Sequence, residues 1–571
     1  MKKNLLLFIL FVSLASFGQI STISNTNGSI TITPKGLLGK SNSSNTSNVS
    51  MGENTLKLNS TGFYNTAIGH LSLTENTIGN SNTGIGYLSL YINKSGSHNT
   101  ATGQSSLATN TIGLGNSAFG SFALQKNMTG DGNTAIGFES LITNISGYRN
   151  VAIGQSSNYH NMSGSGNISV GVGSMFFNRT GNNNIAIGYS AISSSNVGDY
   201  NIAIGYESLK LNSANANLGI GNKTLYFNSL GIENIAIGEE SLYSNRANQN
   251  LAIGFKALRN NETGSGLAAI GYNSLTNNTI GQNNTALGFK TLLSNISGNS
   301  NTAIGYSSLK NNTSGYANTA SGDGSLYSNI EGHNNTANGY YSLWSNTSGE
   351  HNSGIGVGSL YLNTSGSFNT ANGWDALKNN LTGNENSATG VWALRNNVSG
   401  NGNTAIGYNA DVTSGNFNNS TVIGANALVD DSNKIRIGNT AVTVIEGQVG
   451  WSTPSDLRLK ENIINNNRLG LNFITKLNPV RYNYISDNTK TMHDGFIAQE
   501  VESIVDTLKL PFSGLKKSTD GKYSLTYSDF IMPLVNSIKE QQNEIEELRK
   551  LNNQLTERLN SIEKTLKDLK K

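Results

Sequence analysis

A glycine returns every 17 residues from Gly52 to Gly424, giving 23 copies, with a step one residue shorter only before Gly221 and Gly254. It closes the motif Asn-x-Ala-Ile-Gly, as in Asn65-Thr66-Ala67-Ile68-Gly69 and again at 133–137, 184–188, 201–205, 301–305 and 403–407. A period this strict forces a stacked architecture, because one short unit cannot bury its own apolar face and successive copies must share a core. The 65 glycines and the 13% charged residues would suit a disordered chain. Disordered segments, however, lack an apolar pattern that recurs in phase, and here the fourth and ninth slots of each unit are regularly apolar.

With slots numbered from the leading Asn, residues two to five alternate, so slots two and four leave one face and slots three and five the other. We expect Ile68 to point inward, with Ala67 and Gly69 forming a small face for close backbone approach. Slot nine holds Leu73, Leu90, Leu107, Leu124 and Leu141, among others. Slot twelve carries a second Asn column (Asn76, Asn93, Asn110, Asn127, Asn144). Asparagine tolerates tight corners, and in-register stacking lets each amide bond its copies above and below. Two short strands per coil follow, with a thin core that sharing the Ala/Gly face among several chains would repair. Polar residues in slot four (Thr102, Ser321, Asn338, Asn372, Thr389) are expected to mark weak coils.

The N-terminus reads Met1-Lys2-Lys3-Asn4, then an apolar run over 5–12 and small residues to Gly18-Gln19. This is the pattern of a secretory signal peptide over 1–19, too short for a membrane span, so the expected location is secreted or on a bacterial cell surface. The chain has no cysteine, which excludes disulfides, thiolate metal sites and a lipid-modified cysteine anchor. A net charge of +3 gives no basis for nucleic acid as a partner.

The repeats offer little chemistry. No carboxylate pair recurs in a way that suggests glycan hydrolysis, and no aspartate column would hold calcium. The histidines His70, His98, His160, His333, His351 and His493 show no metal-ligand spacing in the linear sequence. No metal and no cofactor are expected.

After Gly424 the rhythm decays, and Trp451-Ser452-Thr453-Pro454 leads into Ser455-Asp456-Leu457-Arg458-Leu459-Lys460-Glu461-Asn462-Ile463, where charge density rises. Further on come Asn478-Pro479-Val480-Arg481-Tyr482, then Gly495-Phe496-Ile497-Ala498-Gln499-Glu500-Val501-Glu502, and Tyr523-Ser524-Leu525-Thr526-Tyr527 before a long helix opening near Ser528-Asp529. In this order the pieces resemble the intramolecular chaperone auto-processing domain at the C-terminus of phage endosialidase tailspikes and related trimeric fibres. The Ala-Ile-Gly repeat resembles the head β-roll of trimeric autotransporter adhesins, whose usual repeat is shorter than this one. A single-chain triangular β-helix, with a slightly longer coil, is the rival. The first resemblance implies a Ser-Lys dyad with Ser455 as nucleophile, Lys460 as general base and a cut between Pro454 and Ser455. A serine hydroxyl needs such a base, and a lysine serves only when its proton is easily lost.

The last segment carries two heptad columns: Ile531, Ile538, Ile545, Asn552, Leu559 and Leu566, and Leu534, Gln541, Leu548, Leu555, Ile562 and Leu569. This is a coiled-coil pattern. The sequence therefore predicts a mainly β protein, with an elongated parallel β-roll or β-solenoid over 48–440 and a linker with the cleavage region over 441–454. A small α/β chaperone domain over 455–530 and a trimeric coiled coil over 531–571 follow. The expected partner is the chain itself, as a homotrimer; any cell-surface or glycan receptor is unknown. Two rival readings are a ligand-binding fibre with a non-cleaving trimer clasp and, disfavoured by the charge-poor repeats, a glycan-cleaving tailspike-like enzyme.

Overall fold

The protein is seen in a computed structural model that describes residues 30–33, 36–39, 47–194, 197–485, 487, 489–518 and 521–570. The expected signal segment at 1–19 lies outside the described residues. The chain is a parallel β-solenoid of about 23 turns at 17-residue spacing, followed by a small C-terminal region with a long helix. It divides into two compact units between Ser367 and Phe368.

In the first unit each coil contributes one three-residue strand, from Val49–Met51 to Ser353–Ile355. Strands pair in parallel with slot-for-slot register, for example Thr66 with Thr83, Ala67 with Gly84 and Ile68 with Ile85. Buried asparagines bind the coils at two corners. At slot twelve, Asn93 Nδ2 donates to Asn76 Oδ1 at 2.7 Å and to the Gly96 carbonyl at 2.9 Å. At slot one, the Asn99 backbone N–H donates to Asn82 Oδ1 at 3.0 Å, and Asn99 Nδ2 donates to the Gly113 carbonyl at 2.8 Å. A buried amide is tolerated only when its donor and acceptor are both satisfied, and stacking satisfies them. The shorter coils keep the ladder: Asn212 and Asn245 reach the carbonyls of Ala214 and Ala247, two residues on instead of three.

Three expectations are corrected. The inward face of the strand is slot three: Ala67, Ala101, Ala118 and Ala135 are fully buried, whereas Ile136 is 41% exposed. The cause is the narrowness of the coil. A Cβ built on Gly84 would stand 2.6 Å from Ser72 Oγ and 3.4 Å from Leu73 Cγ, so little space lies behind slot three in that coil. Consequently the polar residues of slot four mark no weak coil: Thr100–Thr102, Thr319–Ser321 and Thr336–Asn338 are as regular as their neighbours, because their third side chain leaves the core.

Most coils also lack the expected second strand. The leucine segment is a run of turns in which Leu71 and Leu73 take φ of 61° and 52°. Left-handed backbone disfavours a leucine. It is held because the Leu71 N–H donates to the Glu53 carbonyl of the preceding coil at 3.0 Å and the Leu73 N–H to the Ser89 carbonyl of the next at 3.0 Å.

In the second unit the stack runs from Thr370–Asn372 to Ile435–Ile437. Here a second strand pair does form, Asp411–Val412 with Leu428–Val429. Asp411 occupies the leucine slot and is buried. The C-terminal region follows, with helices α1 (Leu471–Ile474), α2 (Ala498–Leu508) and α3 (Ile531–Leu569). Its antiparallel pairs are Val480–Tyr482 with His493–Gly495 and Leu515–Lys517 with Tyr523–Leu525. A 3-10 turn, Tyr527–Phe530, precedes α3, so the long helix opens at Ile531. No helix among the described residues is long and apolar enough to cross a membrane.

The recurring glycine has a steric cause: Gly205 has φ 135°, and a Cβ there would lie 2.4 Å from the Gly221 carbonyl oxygen. Gly205→Ala should destabilise its coil by about 2 kcal/mol or more, read as lost amide-exchange protection at Ile202–Ile204 and Leu218–Ile220; Gly447→Ala, in an open segment, should leave protection unchanged.

Burial pushes the Asp411 carboxyl from 3.8 up to about 6, against the opposing backbone N–H donors of Val412 and Asn396. The folded state thus holds its proton to higher pH than the unfolded chain does. The contribution of Asp411 to stability should be greatest below about pH 4, fall between pH 4 and 6, and stay lower by about 3 kcal/mol above that. Denaturant melts of Asp411→Asn should lose this slope and gain stability at pH 7.

Candidate active site

The segment 451–464 is exposed throughout. Its local order comes from one aspartate. Asp456 caps the 3-10 turn Leu457–Leu459, accepting from the Arg458 backbone N–H at 2.9 Å. The same carboxylate accepts from Arg458 Nη2 at 2.6 Å. This mutual pairing holds the Asp456 carboxyl below its usual range and raises the Arg458 guanidinium. The Lys460 backbone N–H then closes on the Leu457 carbonyl at 3.1 Å. The stretch from Ser455 to Lys460 is thereby folded back on itself, and Lys460 Nζ donates to Ser455 Oγ at 2.6 Å.

The structure thus brings together the two residues singled out for chemistry, with Pro454 directly before Ser455. The geometry suits proton transfer: a base must lie within hydrogen-bond reach of the hydroxyl it deprotonates. Burial does not assist it here, since Ser455 and Lys460 are both exposed in the single chain. Gln499 and Glu500 stand apart from this pair, on the first turn of α2, where Asn478 Nδ2 approaches Glu500 Oε2 at 3.4 Å.

The C-terminal region has a small core of Leu469, Phe473, Val501, Phe512 and Phe530. Phe512 meets Phe530 edge to face, with centroids 4.7 Å apart. Two residues of α3 tie the helix to this core. Glu540 Oε2 accepts from the Leu471 N–H at 2.6 Å, satisfying a free donor at the start of α1. Asn536 Nδ2 donates to the carbonyls of Asn466 and Leu469 at 2.9 and 3.1 Å. Neither residue stands in a heptad column, so the periodicity of α3 gave no sign of them. A cleft of about 680 Å³ opens beside this junction, lined by Thr453, Arg468, Phe512, Asp529, Pro533 and Asn536 among others. Thr453 places it next to the chain that enters Ser455.

Residues 455–510 match the model of a family described as chaperone of endosialidase. That family is known for autoproteolytic activity in a chaperone domain. No curated protein matches the chain.

This core is small enough that one aromatic should decide it. Phe473→Ala should cost about 3–5 kcal/mol, measured as loss of amide-exchange protection in α2 while the protection of the 47–367 coils is unchanged.

Proposed function

We propose that this chain is an exported homotrimeric fibre whose C-terminal region acts as an intramolecular chaperone and then cuts itself free before Ser455. The observation that carries the reading is the 2.6 Å contact between Lys460 Nζ and Ser455 Oγ, at the start of the segment that matches the chaperone family.

The chemistry begins with Lys460 as a neutral amine. It takes the Ser455 hydroxyl proton, and Oγ attacks the Pro454 carbonyl carbon. The Pro454–Ser455 C–N bond breaks as the proton passes from the lysine to the departing Ser455 nitrogen, leaving an ester on Oγ. Water hydrolyses the ester, restoring the hydroxyl and releasing a fragment that begins at Ser455. A solvated lysine holds its proton too firmly for the first step, and burial is what loosens it. Both side chains are exposed in the single chain, so the reading assigns that burial to neighbouring chains: the cut waits for assembly.

Two features support association of chains. Both heptad columns of α3 are uncovered, with Leu548 63% and Leu559 60% exposed. A helix of 39 residues with such a seam buries it by coiling with copies of itself. On the solenoid, slot-four isoleucines and slot-six aromatics form an outward apolar ribbon, with Phe255, Tyr272, Phe289 and Tyr306 stacked at 5.1 Å from coil to coil. Covering that ribbon between three level chains assigns the chaperone its task. A fibre that keeps its C-terminal region as a clasp is the second reading, favoured by the rigid ring of Pro454 at the bond to be cut.

Expression of the full chain followed by gel and mass analysis tests the proposal. A fragment starting at Ser455 should appear, and Ser455→Ala or Lys460→Ala should slow its release by roughly 100-fold or more. Leu548→Asp with Leu555→Asp should abolish both the trimer seen by light scattering and the cut. An intact wild-type chain would sink the cleavage step in favour of the clasp, and cutting by a monomeric variant would sink its dependence on assembly.

A further inference from the structure

The period that builds the solenoid also gathers residues that are scattered along the chain. His333 and Glu350 hold the same slot on successive coils, one full period apart, and His351 follows Glu350. One ligand-capable atom from each of the three lies within 4.8 Å of the other two. His333 Nε2 is in direct contact with Glu350 Oε2. The two imidazoles lie 5.8 Å apart between centroids. Linear spacing of this kind matches no short metal motif, which is why the histidines read as scattered; the coil supplies the proximity.

The group is also oriented from its surroundings. The His333 ring stacks on Tyr316 of the preceding coil at 4.5 Å and 16°. The Glu350 backbone N–H donates to Ser367 Oγ of the next coil at 3.1 Å. Asn334 Nδ2 lies 3.5 Å from His351 Nε2. Two imidazoles and one carboxylate form a donor set of nitrogen and oxygen that zinc accepts and that calcium, which takes oxygen ligands, does not prefer. Metal–ligand bonds of about 2.0–2.2 Å require the three donor atoms to stand roughly 3.4 Å apart around a tetrahedral ion. His333 and Glu350 are half-buried and His351 is exposed, and the site requires side-chain rotation to bring donor atoms already within 4.8 Å of one another to that spacing.

We propose that His333, Glu350 and His351 bind a divalent ion of the zinc class, with water completing the fourth position, and that the ion staples two consecutive coils. A plain ion pair between His333 and Glu350 would involve those two alone. The metal reading requires all three, and this separates them. The proposal does not depend on trimer formation or self-cleavage, which neither adds nor removes any of the three donors.

The test is calorimetric titration of the chelator-treated full chain with Zn²⁺, and separately with Ca²⁺. One Zn²⁺ per chain is expected and no Ca²⁺ uptake. His351→Ala, which spares the His333–Glu350 pair, and Glu350→Gln should each weaken zinc binding by at least about tenfold, with circular dichroism confirming that each variant keeps its fold; His351→Gln serves as the second variant if His351→Ala does not. Absence of zinc uptake at submillimolar Zn²⁺, uptake unchanged in the variants, or equal uptake of Ca²⁺ would each overturn the site.

Discussion

The buried asparagine amide, satisfied by its copy one coil away together with a corner carbonyl, is the interaction on which this structure depends. In the chain from Asn76 through Asn93 to Asn110, each Oδ1 accepts from the next Nδ2 and each Nδ2 also holds a corner carbonyl. An orphaned buried amide costs about 1–3 kcal/mol, more than the net gain of a typical hydrogen bond. The ladder therefore penalises gaps more than it rewards length, and coils persist together. The same requirement explains the glycines. Bonding amides across one coil spacing brings backbones so close that a side chain at slot five or fifteen would strike the next coil, as at Gly69 against Gly86 and Gly79 against Gly96.

Close approach also fixes where the apolar groups go. With a small residue, alanine in most coils, opposite the leucine, the coil does not bury its isoleucine, and slot four turns outward together with the slot-six ring. The core of most coils is then one leucine and one alanine. Much of the remaining apolar surface lies on the outside. Hydrophobic stabilisation grows with the area removed from water, at roughly 25 cal/mol per Å², so covering that surface against another chain, as the proposed function has it, would be favourable.

Much of this was legible in the sequence, and the exceptions have a common cause. The period, both asparagine columns, the leucine slot and the helical heptads are repeated signals, and repetition averages out local ambiguity. Alternation, by contrast, states only that Ala67 and Ile68 face opposite ways; which of them is inside depends on the width of the coil. That width is set by leucines in left-handed backbone, a conformation that no propensity favours and that only hydrogen bonds to both neighbouring coils sustain. Asp411 in the leucine slot and the His333–Glu350–His351 group were hidden in a similar way, since their meaning lies across coils. At the candidate site the contact between Ser455 and Lys460 is local, five residues apart, and the motif draws attention to both residues without showing the turn that joins them. The ties from Asn536 and Glu540 reach back about 70 residues and left no trace in the heptads.

A repeating ladder has one weakness, which is that it cannot count. Slip two coils of the same length past one another by one period and nearly every amide meets an equivalent partner, so the ladder itself distinguishes the registers poorly. Discrimination has to come from what does not repeat. The shortened coils place their corner carbonyls at Ala214 and Ala247, two residues after Asn212 and Asn245 instead of three, and buried Asp411 fits a leucine slot only where Val412 and Asn396 present their N–H groups. These marks are few and weak against so many coils. A folded, non-repeating region joined to the last coil is a far stronger reference, because its core and its ties to α3 form in only one way. Under the proposed function, coils stacking outward from such an end would inherit its register one at a time, which is how the errors that a featureless ladder permits would be avoided.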